Sequence, residues 1–449
     1  MIICSIIQKS QLEGATRLDA EYYQPEYLEI EERIKKLKTF VLGEISFITD
    51  GQHGYFKLDE NSDIRQITAQ HVIDGFIDKT NADRLSKETH EKNLRASLKE
   101  NDIVLSTVGT VGNAGVVTKE IPPANLDQNV ARINLNIKDL DPWYLVVFLN
   151  SKYGQLQINR NITGQVQQRL SLETLRHLEI PIISEQEHVG NLLKNSYKAL
   201  TLSKSLYSQA EDLLLKELGL KDFKPTEELS YIANLSDIKS AHRVDAEYFH
   251  PKYKKIEEKL VKNSNAKKIK YLDFIKVTTG QYSEEYTTKD QGKPYIRGTD
   301  LTKGTVNLDN LVYIDPDRQI PSKKAKEGDV VVTRVGTIGI SARLPKDVEG
   351  GTISDNLIRL RFSEETLNSY YVSLFFNTIG SQLMIRESRG SVQARLNQET
   401  LKEIVLPIVT KSTQHKVADL VHQSHQARKK AKELLGKAKR EVEEFIEKR

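Results

Sequence analysis

The residues best placed to do chemistry sit in a glycine run, Gly109-Thr110-Val111-Gly112-Asn113-Ala114-Gly115, with a shorter echo at Gly336-Thr337-Ile338-Gly339. Such a run invites a phosphate-cradling reading, but it has neither the GxGxxG spacing nor the lysine of GxxxxGK[ST]. A tight turn after a buried strand explains it as well. Exposed backbone N–H groups beside threonine hydroxyls also suit contact with nucleic-acid phosphates. Other catalytic patterns fail together. The ten histidines form no HExxH pair, and there is no GxSxG elbow. Pro122-Pro123 lacks the flanking residues of the motif with which amino-methyltransferases hold a flipped base, and Pro316-Asp317 has no Glu-x-Lys partner for a nuclease core. One cysteine, Cys4, excludes an intramolecular disulfide and any Cys-based zinc site. The expectation is a non-catalytic chain with no metal and no cofactor of its own.

Binding chemistry is better represented. Residues 52–66, QHGYFKLDENSDIRQ, and residues 281–295, QYSEEYTTKDQGKPY, are polar and unlike one another. They lead into Thr68-Ala69-Gln70-His71 and Arg297-Gly298-Thr299-Asp300. Arg, Gln, Asn and His suit the donor and acceptor patterns of base edges in the major groove. The candidate nucleic-acid contacts are Gln52, His53, Tyr55, Lys57, Arg65, Gln66, Gln70 and His71 in the first stretch, and Gln281, Tyr282, Arg297, Thr299 and Asp300 in the second. Thr107, Thr110, Arg334 and Thr337 join them from the glycine turns. Gly164 to Leu170 and Gly390 to Leu396 carry Gln165, Gln167 and Arg169, and Ser391, Gln393 and Arg395. Packing against a helical pair and contact with phosphate remain equally open for these two segments.

The elements that position these residues come in two copies. RLDAEYYQPEYLEIEE at 17–32 and RVDAEYFHPKYKKIEE at 243–258 agree at ten of sixteen positions. The echo continues in order through Gly51-Gln52 and Gly280-Gln281, Val108-Gly109-Thr110 and Val335-Gly336-Thr337, Gly164 to Leu170 and Gly390 to Leu396, and Pro181 and Pro407. Each copy opens with a short amphipathic helix starting at proline, Pro25 or Pro251. Short β-branched runs broken by Gly, Asp and Asn follow, with Ile103 to Leu105 and Val330 to Val332 as buried strands. Tyr144 to Leu149 and Tyr370 to Phe376 read as buried helices.

Each copy then ends in a long helix with a heptad seam. Val189, Leu193, Ser196, Leu200, Ser203, Tyr207, Ala210 and Leu214 alternate in steps of four and three, and 228 residues on stand Val417, Val421, Ser424, Arg428, Ala431, Leu435, Ala438 and Val442. Arg428 is the one misfit. A pseudo-two-fold axis predicts that the two helices pair antiparallel; packing of each on its own domain is the alternative. The fold class is α+β, with two pseudo-symmetric, mostly β domains joined by two long helices forming an antiparallel coiled coil. The boundaries are 1–183 for the first domain with its N-terminal helix and 184–220 for the first long helix. Residues 221–409 hold the linker, short helix and second domain, and 410–449 the second long helix.

Across 449 residues, 66 Lys+Arg against 62 Asp+Glu give a net charge of +4, which permits nucleic-acid binding without arguing strongly for it. The basic stretch 427–449 suits a solvated helix face better than a DNA-binding tail. No apolar run approaches the ~18–20 residues that span a bilayer. The opening residues lack the basic flank and length of a secretory signal, so a cytoplasmic location is expected.

With the duplicated Asp19-Ala20-Glu21-Tyr22, the paired Gly-Thr turns, and Gly390 to Leu396 leading to Pro407, the sequence resembles the specificity subunits of type I restriction-modification systems. The resemblance covers essentially the whole chain. It implies two target-recognition domains, each reading half of a bipartite double-stranded DNA site, with a helical spacer between them. It implies two modification (methyltransferase) subunits and restriction subunits as partners, and methylation at adenine N6 with S-adenosylmethionine held by the modification subunits. A paired coil of ~35 residues would be ~50 Å long at ~1.5 Å per residue, a ruler between the two readers. The alternatives are a specificity chain of a type IIB-like or orphan methyltransferase system, and a coiled-coil protein–protein adaptor.

Overall fold

A computed structural model describes residues 5–10, 12, 17–54, 56–164, 166–224, 230–390 and 394–448. The chain divides into two compact units, Met1–Thr201 with Arg428–Arg449, and Leu202–Ala427. In the first, a six-stranded sheet runs in the order Ser46–Asp50, Val130–Leu135, Ile103–Ser106, Ala114–Val116, Gly75–Ile77, Val72–Ile73. In the second, the corresponding strands form a four-stranded sheet, Lys276–Thr279, Leu357–Arg361, Val330–Thr333, Ser341–Arg343. Ile103–Ser106 and Val330–Thr333 are buried at every position, as their β-branched composition predicts for central strands.

The helices Pro142–Leu149 and Ser369–Asn377 are apolar on nearly all sides and accordingly buried. Asp141 caps the first, accepting from the backbone N–H of Trp143 at 2.7 Å, and Asn368 caps the second through Tyr370 at 3.0 Å. Each sends one tyrosine hydroxyl to the proline that precedes a long helix, Tyr144 to the carbonyl of Pro181 at 2.7 Å and Tyr371 to that of Pro407 at 2.9 Å. Asn150 and Asn377 then clip the neighbouring strand, each amide donating to a backbone carbonyl, of Ala114 and Ser341, at 2.8 Å.

The most repetitive stretch of sequence turns out to be a clasp. Arg17 pairs with Asp19 at 2.6 Å and lies over the Tyr22 ring, whose centroid Arg160 also approaches to 4.2 Å while donating to Glu31 at 2.5 Å. Arg243, Asp245, Tyr248, Arg386 and Glu257 repeat the arrangement, with Arg386 to Glu257 at 2.8 Å. An aromatic ring held by two guanidiniums requires those residue types together, which accounts for their recurrence.

The long helices span Gln186–Glu217 and Lys411–Glu447. Within the first unit Ser196 donates to the carbonyl of Ala431 at 2.7 Å, and His188 meets Glu441 at 3.2 Å. Within the second, Ser424 donates to the carbonyl of Ser203 at 2.8 Å, and Thr413 reaches Glu217 at 3.1 Å. Rising numbers on one helix meet falling numbers on the other, so the pairing in each unit is antiparallel. Val189, Leu193, Leu214, Val417, Val421, Leu435 and Val442 are buried seam residues, whereas Leu200 and Tyr207 are half-buried. The seam departs from a strict heptad at one point: Ala199 and Ala427 are buried where Leu200 and Arg428 were expected, and Arg428 is exposed. Locally the steps run 3-4 in place of 4-3, so the seven-residue span from Ser196 to Ser203 and from Ser424 to Ala431 is kept and only the misfit is removed.

Each sheet also buries one aspartate against arginine. Asp102 binds Arg132 at 2.6 Å and Asn134 at 2.7 Å, while Asp329 binds Arg361, the counterpart of Asn134, at 2.6 Å. Arg359 keeps the place of Arg132, 3.9 Å from Asp329, and Arg361 adds a second guanidinium two residues along the same face of the strand. Removing only the carboxylate, as in Asp102→Ala, leaves a buried unpaired guanidinium and should cost about 3–5 kcal/mol. Replacing Asp102 and Arg132 together by apolar residues of similar volume should cost far less. Urea midpoints of the two variants provide the check.

Candidate nucleic-acid interface

In each unit the candidate residues converge where a short parallel strand pair meets the hairpin turn that carries the Gly-Thr run. The pairs are Arg65–Ile67 with Ala124–Leu126, and Tyr295-Ile296 with Thr352–Ile353. Gly51 and Gly280 lie against their ends, where a Cβ would fall on the carbonyl oxygens of Leu126 and Asp127, or of Ile353 and Ser354. Only glycine permits this approach. It lets Gln52 N–H donate to the Leu126 carbonyl at 3.2 Å and Gln281 N–H to the Ile353 carbonyl at 2.9 Å. The turns follow strands Ile103–Ser106 and Val330–Thr333, with Gly109 at φ +83° and Gly336 at φ +81°, and Thr110 and Thr337 exposed at their tips.

The segments before Leu170 and Leu396 pack beside these turns. Leu170 N–H donates to Thr107 O at 2.9 Å and Leu396 N–H to Arg334 O at 2.8 Å, and Arg169 and Arg395 are exposed there. Of the two roles open for these segments, the structure therefore places their described residues at the turn rather than along a long helix. Gln165, Ser391 and Gln393 lie outside the described residues, as does Tyr55.

In the second unit an open groove of about 920 Å³ gathers Tyr282, Tyr286, Arg297, Thr299, Thr337 and Asp355. Four sequence-predicted residues, Tyr282, Arg297, Thr299 and Thr337, are thus brought together. The rest act from behind the surface. Gln281 is a clamp, donating to Arg318 O at 2.7 Å and accepting from Ile320 N–H at 2.9 Å. Asp300 is buried and accepts from Arg297 through its backbone N–H at 2.8 Å and its guanidinium at 2.9 Å. The Arg334 guanidinium turns inward to the Asp355 carbonyl at 3.0 Å.

The first unit repeats the division. His53, Lys57, Gln70 and Thr110 are exposed, with His53 bonded to Asp50 at 2.7 Å and Lys57 to Glu88 at 3.3 Å. Gln52 accepts from Asn93 at 2.5 Å, and Arg65 donates to Ala82 O at 3.1 Å. Gln66, His71 and Thr107 are buried and so, like Asp300, do not present their side chains to a duplex. For His71 and Asp300 the correction has one cause. Polar residues in a turn often satisfy its own backbone, and Thr68-x-x-His71 and Arg297-x-x-Asp300 form capping boxes.

Three surface residues were missed. Arg95 bonds Thr49 at 2.9 Å and Asp50 at 3.1 Å beside His53. Gln128 and Asn356 are exposed just beyond the parallel strand pairs. The shared apolar-x-x-Asn-apolar pattern of Leu126 to Val130 and Ile353 to Leu357 is the signal that would have pointed to them. Among the described residues no group of three or more His, Cys, Asp or Glu could hold a metal ion, and no helix is long and apolar enough to cross a membrane.

The capping role of His71 has a pH consequence. Nδ1 accepts the Thr68 backbone N–H at 3.0 Å, which requires the neutral ring, and burial pushes the imidazole pKa down from 6.5. A lowered folded-state value means that stability present above pH 6.5 is lost as pH falls below it, at about 1.4 kcal/mol per pH unit until the folded-state value is reached. Thermal melts at pH 7.5 and 5.5 should show the acid loss in the parent chain and a smaller loss in His71→Gln, which keeps an acceptor at that position.

The family model described as type I restriction modification DNA specificity domain matches twice, over residues 39–212 and 263–435. The specificity subunit of the type I restriction enzyme EcoBI from Escherichia coli is 28% identical over 131 residues; the match takes in 29% of this chain but only 27% of that relative. Among solved structures, a type I restriction-modification S subunit from M. genitalium aligns over 91% of this chain and 94% of its own, at 14% identity and a TM-score of 0.46. The HsdS subunit from Thermoanaerobacter tengcongensis aligns over 92% and 95%, at 13% identity and a TM-score of 0.28. The assignment rests on the family model, whose two matches fall on the two repeats: the chain belongs to the type I restriction modification DNA specificity domain family.

Proposed function

We propose that this chain is the DNA-recognition subunit of a type I restriction-modification complex, reading an asymmetric bipartite site with one specificity domain per half. The observation that carries the reading is the duplication of the family's domain over residues 39–212 and 263–435. It is supported by matching surfaces that carry different side chains, Gln70 against Thr299 at the tips of the two capped turns. Two identical readers would read a palindrome; two different ones read unlike half-sites.

The partners that go with this reading are two modification subunits, which hold S-adenosylmethionine and methylate adenine N6, and restriction subunits that cleave. The role of this chain is recognition rather than catalysis. Phosphate contacts from lysine and arginine set orientation, and base-edge contacts set sequence. A net charge of +4 is small for such a task, so the modification subunits supply much of the electrostatic affinity. The paired helices act as a ruler: a half-site one DNA turn away lies roughly 34–36 Å off, within the reach of such a coil.

Co-expression with the adjacent methyltransferase gene, followed by single-molecule sequencing for N6-methyladenine, should reveal an asymmetric bipartite motif that depends on this chain. A complex without a methylated motif would favour an adaptor role, and the absence of any complex would contradict the proposal. Removing one heptad from both long helices should change the non-specific spacer and leave both half-sites intact. Altered half-sites in that variant would refute the ruler. Binding of the assembled complex to its site should weaken linearly in log–log salt titration.

A further inference from the structure

A side chain can report base identity only if its donors and acceptors are not spent inside the protein, and few at this surface meet that condition. Thr110 and Thr337 are exposed, but they are the same residue in both units and so cannot tell two half-sites apart. A position that does so must reach the surface, hold the same place in both units, and differ chemically between them. Gln128, which is exposed, and Asp355, which is half-buried but lines the groove, meet these requirements.

Their backbones are fixed from both sides. Asp127 and Ser354, one residue earlier, bridge to Gln52 and Gln281. The carbonyls of Asn129 and Asn356, one residue later, accept from the backbone N–H groups of Thr107 and Arg334, each at 2.9 Å, at the root of the Gly-Thr turn. The residue between is therefore pinned between the two loops that carry most of the other exposed candidates. Gln128 is exposed and its amide makes no hydrogen bond among the described residues. Asp355 lines the groove, and among the described residues its carboxylate accepts only from its neighbour Ser354, at 3.2 Å.

We propose that Gln128 and Asp355 are the equivalent specificity-determining residues of the two domains, Gln128 selecting adenine and Asp355 selecting cytosine at one position of each half-site. The inference rests on the DNA-recognition reading above. A glutamine amide both donates and accepts, matching N7 and the N6 amino group of adenine. A carboxylate only accepts. It meets the N4 amino group of cytosine, which has no acceptor beside it in the major groove, whereas N7 next to the N6 amino group of adenine, N7 and O6 of guanine and O4 of thymine would face it with like polarity. Two residues at one structural position thereby read two different bases.

The test uses the full chain co-expressed with its modification subunits, with Gln128→Asp and Asp355→Gln made separately and host DNA sequenced for N6-methyladenine. Each variant should shift or relax one base position in one half-site, with discrimination there changing on the order of 10- to 100-fold. The other half-site and the spacer should stay as they were. If either variant fails to assemble, the near-isosteric Gln128→Glu and Asp355→Asn decide by the same readout. An unchanged motif would overturn the proposal while leaving the DNA-recognition reading intact, and so would methylation lost from a variant that still assembles. A parent complex that methylates no bipartite motif would overturn both.

Discussion

Neither globular half closes its own core. The first hydrophobic core takes Val189, Leu192 and Leu193 from one long helix and Leu435, Ala438, Val442 and Ile446 from the other. The second takes Ala210, Leu214 and Leu218 from the first helix and Val417 and Val421 from the second. Each unit therefore needs a segment from both ends of the repeat. Apolar burial contributes roughly 1.5–3 kcal/mol per large side chain, so the helix segments are structural partners of the domains and not tethers. The small residues Ala199, Ser203, Ser424 and Ala427 on the seam let the backbones approach closely enough for serine-to-carbonyl bonds. Ser196 and Ser424 make the same bond with the partners exchanged. A duplicated sequence with its helices reversed against each other dictates that result.

The recognition surface follows from what this framework leaves over. Glycine at 51 and 280 brings the polar loops onto the parallel strand pairs, and the capping boxes at Thr68–His71 and Arg297–Asp300 hold the next turn. Most polar groups near the surface are consumed in building it. The cost of an unpaired buried polar group, about 1–3 kcal/mol, explains why Arg65 and Gln281 point toward backbone groups of the domain and Gln52 toward the Asn93 amide. What stays exposed divides into residues shared by the two units, which suit the uniform phosphate backbone, and residues that differ, which suit base edges.

Much of this was legible in the sequence. The repeat, the buried strands at Ile103 and Val330, the proline-initiated helices and the antiparallel seam all follow from spacing and residue type. One position in each helix did not, because a strict heptad falls on Leu200 and Arg428 whereas Ala199 and Ala427 are the buried residues. Function at single residues was the least legible. His71 and Asp300 look like base readers by type, yet they sit at the third position of capped turns; Gln128 and Asp355 are marked only by the asparagine that follows each of them in both repeats. Composition marks which loops are polar, but burial decides which side chains face outward.

The central claim is that the two domains are independent, interchangeable readers on one scaffold. The most direct measurement replaces residues 267–409 of the second repeat with the corresponding residues 39–183 of the first. The hybrid is then co-expressed with the modification subunits, and the methylated motif is sequenced. The account predicts a palindrome built from the first half-site, at the parent spacing. A folded, assembled hybrid that still methylated the parent asymmetric motif, or read a half-site unrelated to either, would contradict it.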